Sequence, residues 1–366
     1  MKLKIICSSV LAASVALSGQ NALANINTHH NLIVFGDSLS DTGNNTWASG
    51  EGFQGAPITN RPTAAAQLLW PNLLASSLSS APVTAKIPLI YAKNKNADPA
   101  HSSINYAYAS AETGDNYLDD LDTSKGYPPY VSCNSAGVAP SKQTSCVPGA
   151  ITQIKYYLSA LHSTPSENTT YVIWAGGNDF FNDISKLIGN STSNSKNITD
   201  SINYLSSMFN GTNHKQQNDL QLSNPIANLK TAVQLLLNNG VKANNIYVFN
   251  LPDMSKTPAA IKLANGNKLI LDAISMLSGV YNFALQSTLT GKNMLQYNHV
   301  FKVNKLFKLI HNNKDVDSKY GFKYLTNDCV LDQQAPVCTG YVFYNDKHPT
   351  LGVENMLTDY FVQQQL

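Results

Sequence analysis

Ser38 stands in the run Phe35-Gly36-Asp37-Ser38-Leu39-Ser40-Asp41-Thr42-Gly43-Asn44-Asn45, directly after the apolar segment Leu32 to Phe35. A serine flanked by small and acidic residues on a strand's exit turn is where an activated nucleophile belongs, although plain Gly/Asp/Ser turns follow many strands. A second run, Trp174-Ala175-Gly176-Gly177-Asn178-Asp179-Phe180-Phe181, also closes an apolar stretch. Its glycines let the backbone approach a ligand, and the Asn178 amide can donate to negative charge developing on oxygen. A third, Phe343-Tyr344-Asn345-Asp346-Lys347-His348-Pro349-Thr350, carries a histidine. A histidine presents one ring nitrogen as a base when the other has an acceptor, and Asp346 or Asn345 can supply it. Taken singly, each run also reads as a turn or surface loop, and for the second and third runs that is the better reading. In chain order they give nucleophile, oxyanion donor, and acid with base, the parts of serine-based nucleophilic catalysis.

The elements that must position these residues alternate. Leu32 to Phe35, Ile104 to Ala107, Tyr171 to Ala175 and Ile246 to Asn250 have the unbroken apolar character of buried strands. Ala64 to Leu78, Ile151 to Leu161, Ile226 to Leu237 and Leu269 to Leu289 have helical periodicity, and a last helix is expected from about Leu351. Pro225 after Asn224 marks a helix start, and Asn238-Asn239-Gly240 marks its stop. The alternation predicts an α/β fold with a mainly parallel sheet covered by helices on both faces. Each chemical run then falls at the carboxyl end of a strand, where open α/β sheets bind ligands. Gly50 to Arg61, Asp115 to Pro148 and Ser191 to Asn224 read as long loop insertions. No domain boundary is needed, so residues 25–366 are expected to form one domain.

With these runs in place the chain resembles the GDSL hydrolases, the SGNH superfamily, from about Asn31 onward. Phe35 to Asn45 is similar to that family's first block, Gly176-Gly177-Asn178-Asp179 to its third and His348-Pro349-Thr350 to its fifth. The resemblance implies a three-layer α/β/α, flavodoxin-like sheet fold. It also implies that Ser38 attacks an ester carbonyl, that His348 is the base, and that the Ser38 amide and Asn178 side chain hold the oxyanion. Asn105-Tyr106-Ala107-Tyr108-Ala109-Ser110-Ala111-Glu112-Thr113 matches the second block, with Ser110 where the family places a glycine that donates its backbone amide. A positive φ there would strain a serine. The family's acid lies three residues before the histidine, a position held here by Asn345. The expectation is a local shift that brings Asp346 to His348, with Asn345 as the alternative partner.

Lys2 and Lys4, the apolar stretch Ile5 to Leu17 and Ala22-Leu23-Ala24 read as a signal peptide spanning residues 1–24, which predicts a secreted or periplasmic protein. No later run looks long and apolar enough to span a bilayer. Cys7 leaves with the leader; Cys133, Cys146, Cys329 and Cys338 remain, and four cysteines in an exported chain favour two disulfides over zinc. Proximity suggests Cys133 with Cys146 and Cys329 with Cys338, among three pairings that four cysteines allow. No metal and no cofactor are expected. Removing the leader's lysines from the 25 basic residues leaves 23 against 23 acidic ones, so nothing in the charge balance points to nucleic acid.

Val147 to Ile154 and Asn250-Leu251-Pro252-Asp253 resemble the bacterial lipolytic branch, which holds phospholipases A, lysophospholipases and glycerophospholipid-cholesterol acyltransferases. That implies a phospholipid or lysophospholipid substrate, with cholesterol as an optional acyl acceptor and transient contact with a membrane surface. The loop from Cys133 to Cys146, with Pro140 and Lys142, is a candidate lid opened by an activating protease. Trp47, Phe53, Tyr127, Tyr130, Phe180 and Phe181 are candidates for an acyl groove. Two other functions fit the same runs: a carbohydrate or short-chain acetyl esterase, and a secreted binding protein whose site has decayed at Ser110 and Asn345.

Overall fold

The computed structural model describes residues 31–42, 69–78, 102–115, 148–190, 200, 203, 205–207, 209, 223–291, 294–312, 320–335 and 337–365. The leader, Trp47, Phe53, Tyr127, Tyr130 and the Cys133 to Cys146 loop lie outside them.

Strand β1 (Asn31–Gly36) is the apolar run Leu-Ile-Val-Phe, buried on both faces as a central parallel strand requires. It pairs on one side with the short β2 (Ile104–Asn105) and on the other with β3 (Thr169–Trp174). The register sets Val34 beside both Asn105 and Val172, and Gly36 beside Trp174. β4 (Ile246–Phe249) and β5 (Val300–Phe301) continue the sheet in the order β2-β1-β3-β4-β5, every pairing parallel.

Side chains alternate across this sheet and so build two cores. Ile33, Phe35, Tyr171, Ile173, Ile246 and Val248 face α2 (Ala150–Ala160), α4 (Pro225–Asn238) and α6 (Lys268–Thr290). Leu32, Val34, Val172, Trp174, Tyr247 and Phe249 face α1 (Trp70–Leu78), α7 (Val303–Asn312) and α8 (Leu351–Gln365). The result is the expected three-layer α/β/α architecture. The second of these cores is fastened by aromatic packing: Trp70, Trp174, Phe249, Phe301 and Phe361 form one continuous set with ring centroids 4.7 to 6.0 Å apart. Complete burial of such a side chain contributes about 1.5–3 kcal/mol.

Local signals place several elements. The Asn224 side chain accepts from Ala227 N with Pro225 opening α4, and Gly240 at φ +89° follows the helix. The Glu354 carboxylate, buried in α8, accepts from Trp70 N and so caps α1 from across the layer. By length and composition α6 could cross a bilayer, contrary to the sequence reading, but Ile274, Leu277, Tyr281 and Leu285 are core residues. The segment read as the loop Ser191 to Asn224 contains helical residues at 200, 203, 205–207 and 209, and buries Leu205 and Phe209 beside Phe180 and Tyr281.

A second, two-stranded sheet carries the histidine. β6 (Tyr324–Asp328) pairs in parallel with β7 (Tyr341–Phe343), and the Cys329–Cys338 disulfide bridges the loop between them. A link across a separation of 9 residues contributes roughly 2.5 kcal/mol by restricting the unfolded chain. The loop it closes is bonded to β7 through Cys329 N to Phe343 O and Val330 N to Tyr344 O, which anchors the backbone immediately before Asn345.

Candidate active site

The site forms at the carboxyl ends of β1 and β3, where neighbouring connections leave the sheet in opposite directions. β1 ends at Gly36 because nothing larger fits: a Cβ there would lie 2.2 Å from the Trp174 carbonyl oxygen. The Gln153 side chain, fully buried on α2, accepts from Gly36 N at 2.8 Å and donates to Gly36 O at 2.9 Å. After that fixed point the chain turns tightly. Asp37 N donates to Trp174 O, Ser40 N and Asp41 N donate to Asp37 O, and the Asp37 carboxylate accepts from Leu39 N. Ser38 sits at the crest of the turn, half-buried.

His348 arrives from the second sheet. Its loop is closed by Tyr344 N donating to His348 O at 2.8 Å and by Thr350 N donating to Val342 O. Asn345 Oδ1 accepts from Lys347 N at 3.1 Å, from His348 N at 3.0 Å and from the ring Nδ1 at 2.9 Å. The two backbone N–H donors admit only oxygen at that position, so the amide cannot be reversed. Nδ1 is therefore the protonated nitrogen and Nε2 the bare one. Nε2 lies 2.7 Å from Ser38 Oγ, with His348 buried to 4% exposure. That is the arrangement of a general base with its nucleophile.

The expected shift of Asp346 toward His348 does not occur. An acceptor three residues ahead can cap the backbone N–H groups and the ring together, and Asn345 does so; Asp346 is held instead by its carbonyl, which accepts from Ala259 N at 2.9 Å in α5 (Pro258–Ala264). Among the described residues the Asp346 carboxylate has no hydrogen-bond partner. Restoring charge at the observed position should help the base: a charged hydrogen bond is worth about 1 kcal/mol more than a neutral one, so Asn345→Asp is expected to raise kcat about fivefold. Asp346→Ala should change it less than about twofold. Steady-state ester kinetics on both variants check this, and the reverse order would return Asp346 to the triad.

Asn178 enters from α3 (Gly177–Asn190), whose first turn also holds Asp179. One Asn178 Nδ2 proton is committed to Ala111 O at 2.8 Å, which orients the amide and leaves its second proton for a ligand. Gly176, at φ +115°, is required by packing: a Cβ there would stand 2.1 Å from the buried Tyr281 hydroxyl. Ser110 occupies the third position of the turn Tyr108 to Ala111, closed by Ala111 N to Tyr108 O, with φ at +69°. A positive φ there is the signature of a type II turn, which glycine or asparagine normally fills. Among the described residues neither the Ser38 nor the Ser110 amide meets an intramolecular acceptor. Phe180 and Phe181 are buried in the core, and no cluster of metal-ligating side chains occurs among the described residues.

Residues 32–350 match the GDSL-like lipase/acylhydrolase family. The chain belongs to that family. No curated protein sequence matches it significantly. A solved extracellular lipase from Streptomyces rimosus is similar at 14% identity, the alignment covering 90% of this chain and 98% of that one with a TM-score of 0.42. Membership makes the chain an ester hydrolase by family, and it turns Ser110 into a departure whose consequence can be measured. Ser110→Gly keeps the amide donor while removing the left-handed strain, so it is expected to stabilise the fold by about 1 kcal/mol in urea unfolding. An unchanged or lower midpoint would contradict the strain.

Behind the oxyanion side of this GDSL site lie buried carboxylates that the sequence reading passed over. Burial raises Asp37 to about 7, burial and then Glu112 raise Asp179 to about 8, and burial raises Asp183 to about 7. A carboxyl whose folded pKa exceeds its unfolded value binds more protons when folded, so its stabilisation is present at low pH and fades as pH rises through the folded pKa. Thermal stability is thus expected to fall between about pH 4 and pH 8 and then level off, and Asp183→Asn should flatten part of that slope. Melting curves across this range that rise with pH would contradict it.

Proposed function

We propose that this chain is an exported lipolytic serine esterase that hydrolyses acyl esters of phospholipids or lysophospholipids, and that can pass the acyl group to a sterol alcohol such as cholesterol. The observation that carries the catalytic reading is His348 bonded through Nδ1 to Asn345 and through Nε2 to Ser38. Ser38 Oγ gives its proton to Nε2 as it bonds to the ester carbonyl carbon. Negative charge on the carbonyl oxygen is met by the Ser38 and Ser110 amides and the free Asn178 proton. Imidazolium then protonates the leaving alcohol as the C–O bond breaks, leaving an acyl-serine. Water, or a bound alcohol, gives a proton to Nε2 and attacks that ester; collapse returns the proton to Ser38. Export is supported by the leader-like residues 1–24, and the lipid substrate by the resemblance of Val147 to Ile154 and Asn250 to Asp253 to the lipolytic branch. The same resemblance supports transient membrane contact and proteolytic opening of the Cys133 to Cys146 loop.

The test is a product analysis on phospholipid, lysophospholipid, palmitoyl ester and acetylated sugar, each with and without cholesterol, for the wild type and Ser38→Ala. Release of long-chain fatty acid that depends on Ser38 is the expected result, with cholesteryl ester as the product of transfer. Turnover confined to acetyl esters would replace lipid with carbohydrate as the substrate. No Ser38-dependent turnover at all would favour a binding protein.

A further inference from the structure

The turn that carries Ser110 is tied on three sides to the loops that carry Ser38 and Asn178. Asp41, from the Ser38 loop, accepts from Ala109 N at 2.9 Å. Asn178 donates to Ala111 O at 2.8 Å. Asp179 spans the remaining side with both oxygens: Oδ2 accepts from Thr113 N at 3.0 Å and Oδ1 from Thr113 Oγ1 at 2.7 Å. Thr113 Oγ1 also accepts from Asn228 Nδ2 at 3.0 Å, so the threonine hydroxyl is held from the other helix as well. Asp179 and Thr113 are completely buried. Ionising a fully desolvated carboxyl among neutral donors is costly, and hydrogen bonds in such a setting are strong and geometrically strict.

We propose that Asp179 is a positioning residue of the esterase, which through Thr113 holds the Asn178 side chain and the Ser110 turn in register as the two outer arms of one oxyanion hole. The proposal rests on the assignment of Asn178 as an oxyanion donor. Asp179 follows Asn178 directly in the first turn of α3, so its bonds to Thr113 fix the rotation of that turn against the Ser110 segment. A donor displaced by about 1 Å can forfeit about a hundredfold in rate even though nothing touching substrate has changed. Substrate binding in the ground state should hardly notice, since the arms meet charge that develops in the transition state.

A double-mutant cycle in the full chain tests this. Asp179→Ala is expected to lower kcat by about 10- to 100-fold with KM changed less than about threefold. On the Asn178→Ala background the same change should lower kcat by less than about threefold, because the arm it positions is gone. If Asp179→Ala fails to fold, Thr113→Val, which keeps the shape and loses the hydroxyl, enters the same cycle with an expected loss of about 3- to 10-fold. Equal losses in both backgrounds would show a merely structural residue and overturn the proposal, as would no loss with Asn178 intact. If Asn178→Ala alone leaves kcat unchanged, the oxyanion assignment itself fails, and the positioning role with it.

Discussion

Ser38→Ala and His348→Ala are each expected to lower kcat by about 10⁵- to 10⁶-fold, and the double variant no further, because nucleophile and base act as one unit. The magnitude follows from what each removes. Without the Ser38 hydroxyl no acyl-enzyme forms, and without Nε2 the hydroxyl keeps its proton at neutral pH and attacks as a weak alcohol. Both variants should fold, since Ser38 lies half-buried on a turn held by Asp37 and by the Gln153 side chain bonded to the Gly36 backbone, while His348 owes its place to a loop closed by main-chain bonds and Asn345. Circular dichroism and melting temperature close to wild type, with esterase rate near background, complete the expected result. A His348→Ala protein that kept even a tenth of its rate would require a different base.

Asn178→Ala should cost about 10²- to 10³-fold in kcat, equivalent to about 2.7–4 kcal/mol of barrier, with KM nearly unchanged. The donor is preorganised: its amide is already tied to Ala111 O, so no reorganisation is needed as charge appears on the substrate oxygen. The loss should exceed that from any single change at Asn345, because the donor meets charge directly while Asn345 acts through the ring. Steady-state kinetics on a soluble ester separate the two constants, and a change confined to KM would place Asn178 in ground-state binding instead.

What the sequence revealed and concealed follows from range and length. β1, β3 and β4 were legible because strands buried on both faces must be continuously apolar, and α4 because Asn224-Pro225 and Asn239-Gly240 mark its ends. β5, β6 and β7 went unread: two or three residues carry no periodicity, and β6 is largely exposed. α3 was hidden because it begins at Gly177, in residues that read as a turn. Ser38, Asn178 and the histidine were found through motif blocks, since nothing in the spacing separates His348 from His299, which stacks on Tyr247, or His311, which bonds Phe307 O. Charge reasoning chose Asp346, whereas the reach of a side chain over three residues chose Asn345. Gln153 to Gly36 and Asp179 to Thr113 span 117 and 66 residues, and no local pattern announces partners so distant.

The most direct test of Ser38 as a nucleophile switched on by His348 is the rate and site of labelling by an alkyl fluorophosphonate, read by intact mass and peptide mapping. One adduct is expected, on the peptide containing Ser38, absent in Ser38→Ala and slowed at least about a thousandfold in His348→Ala. Labelling at another serine, or equal rates with and without His348, would contradict the site described by the 2.7 Å contact between Nε2 and Ser38 Oγ.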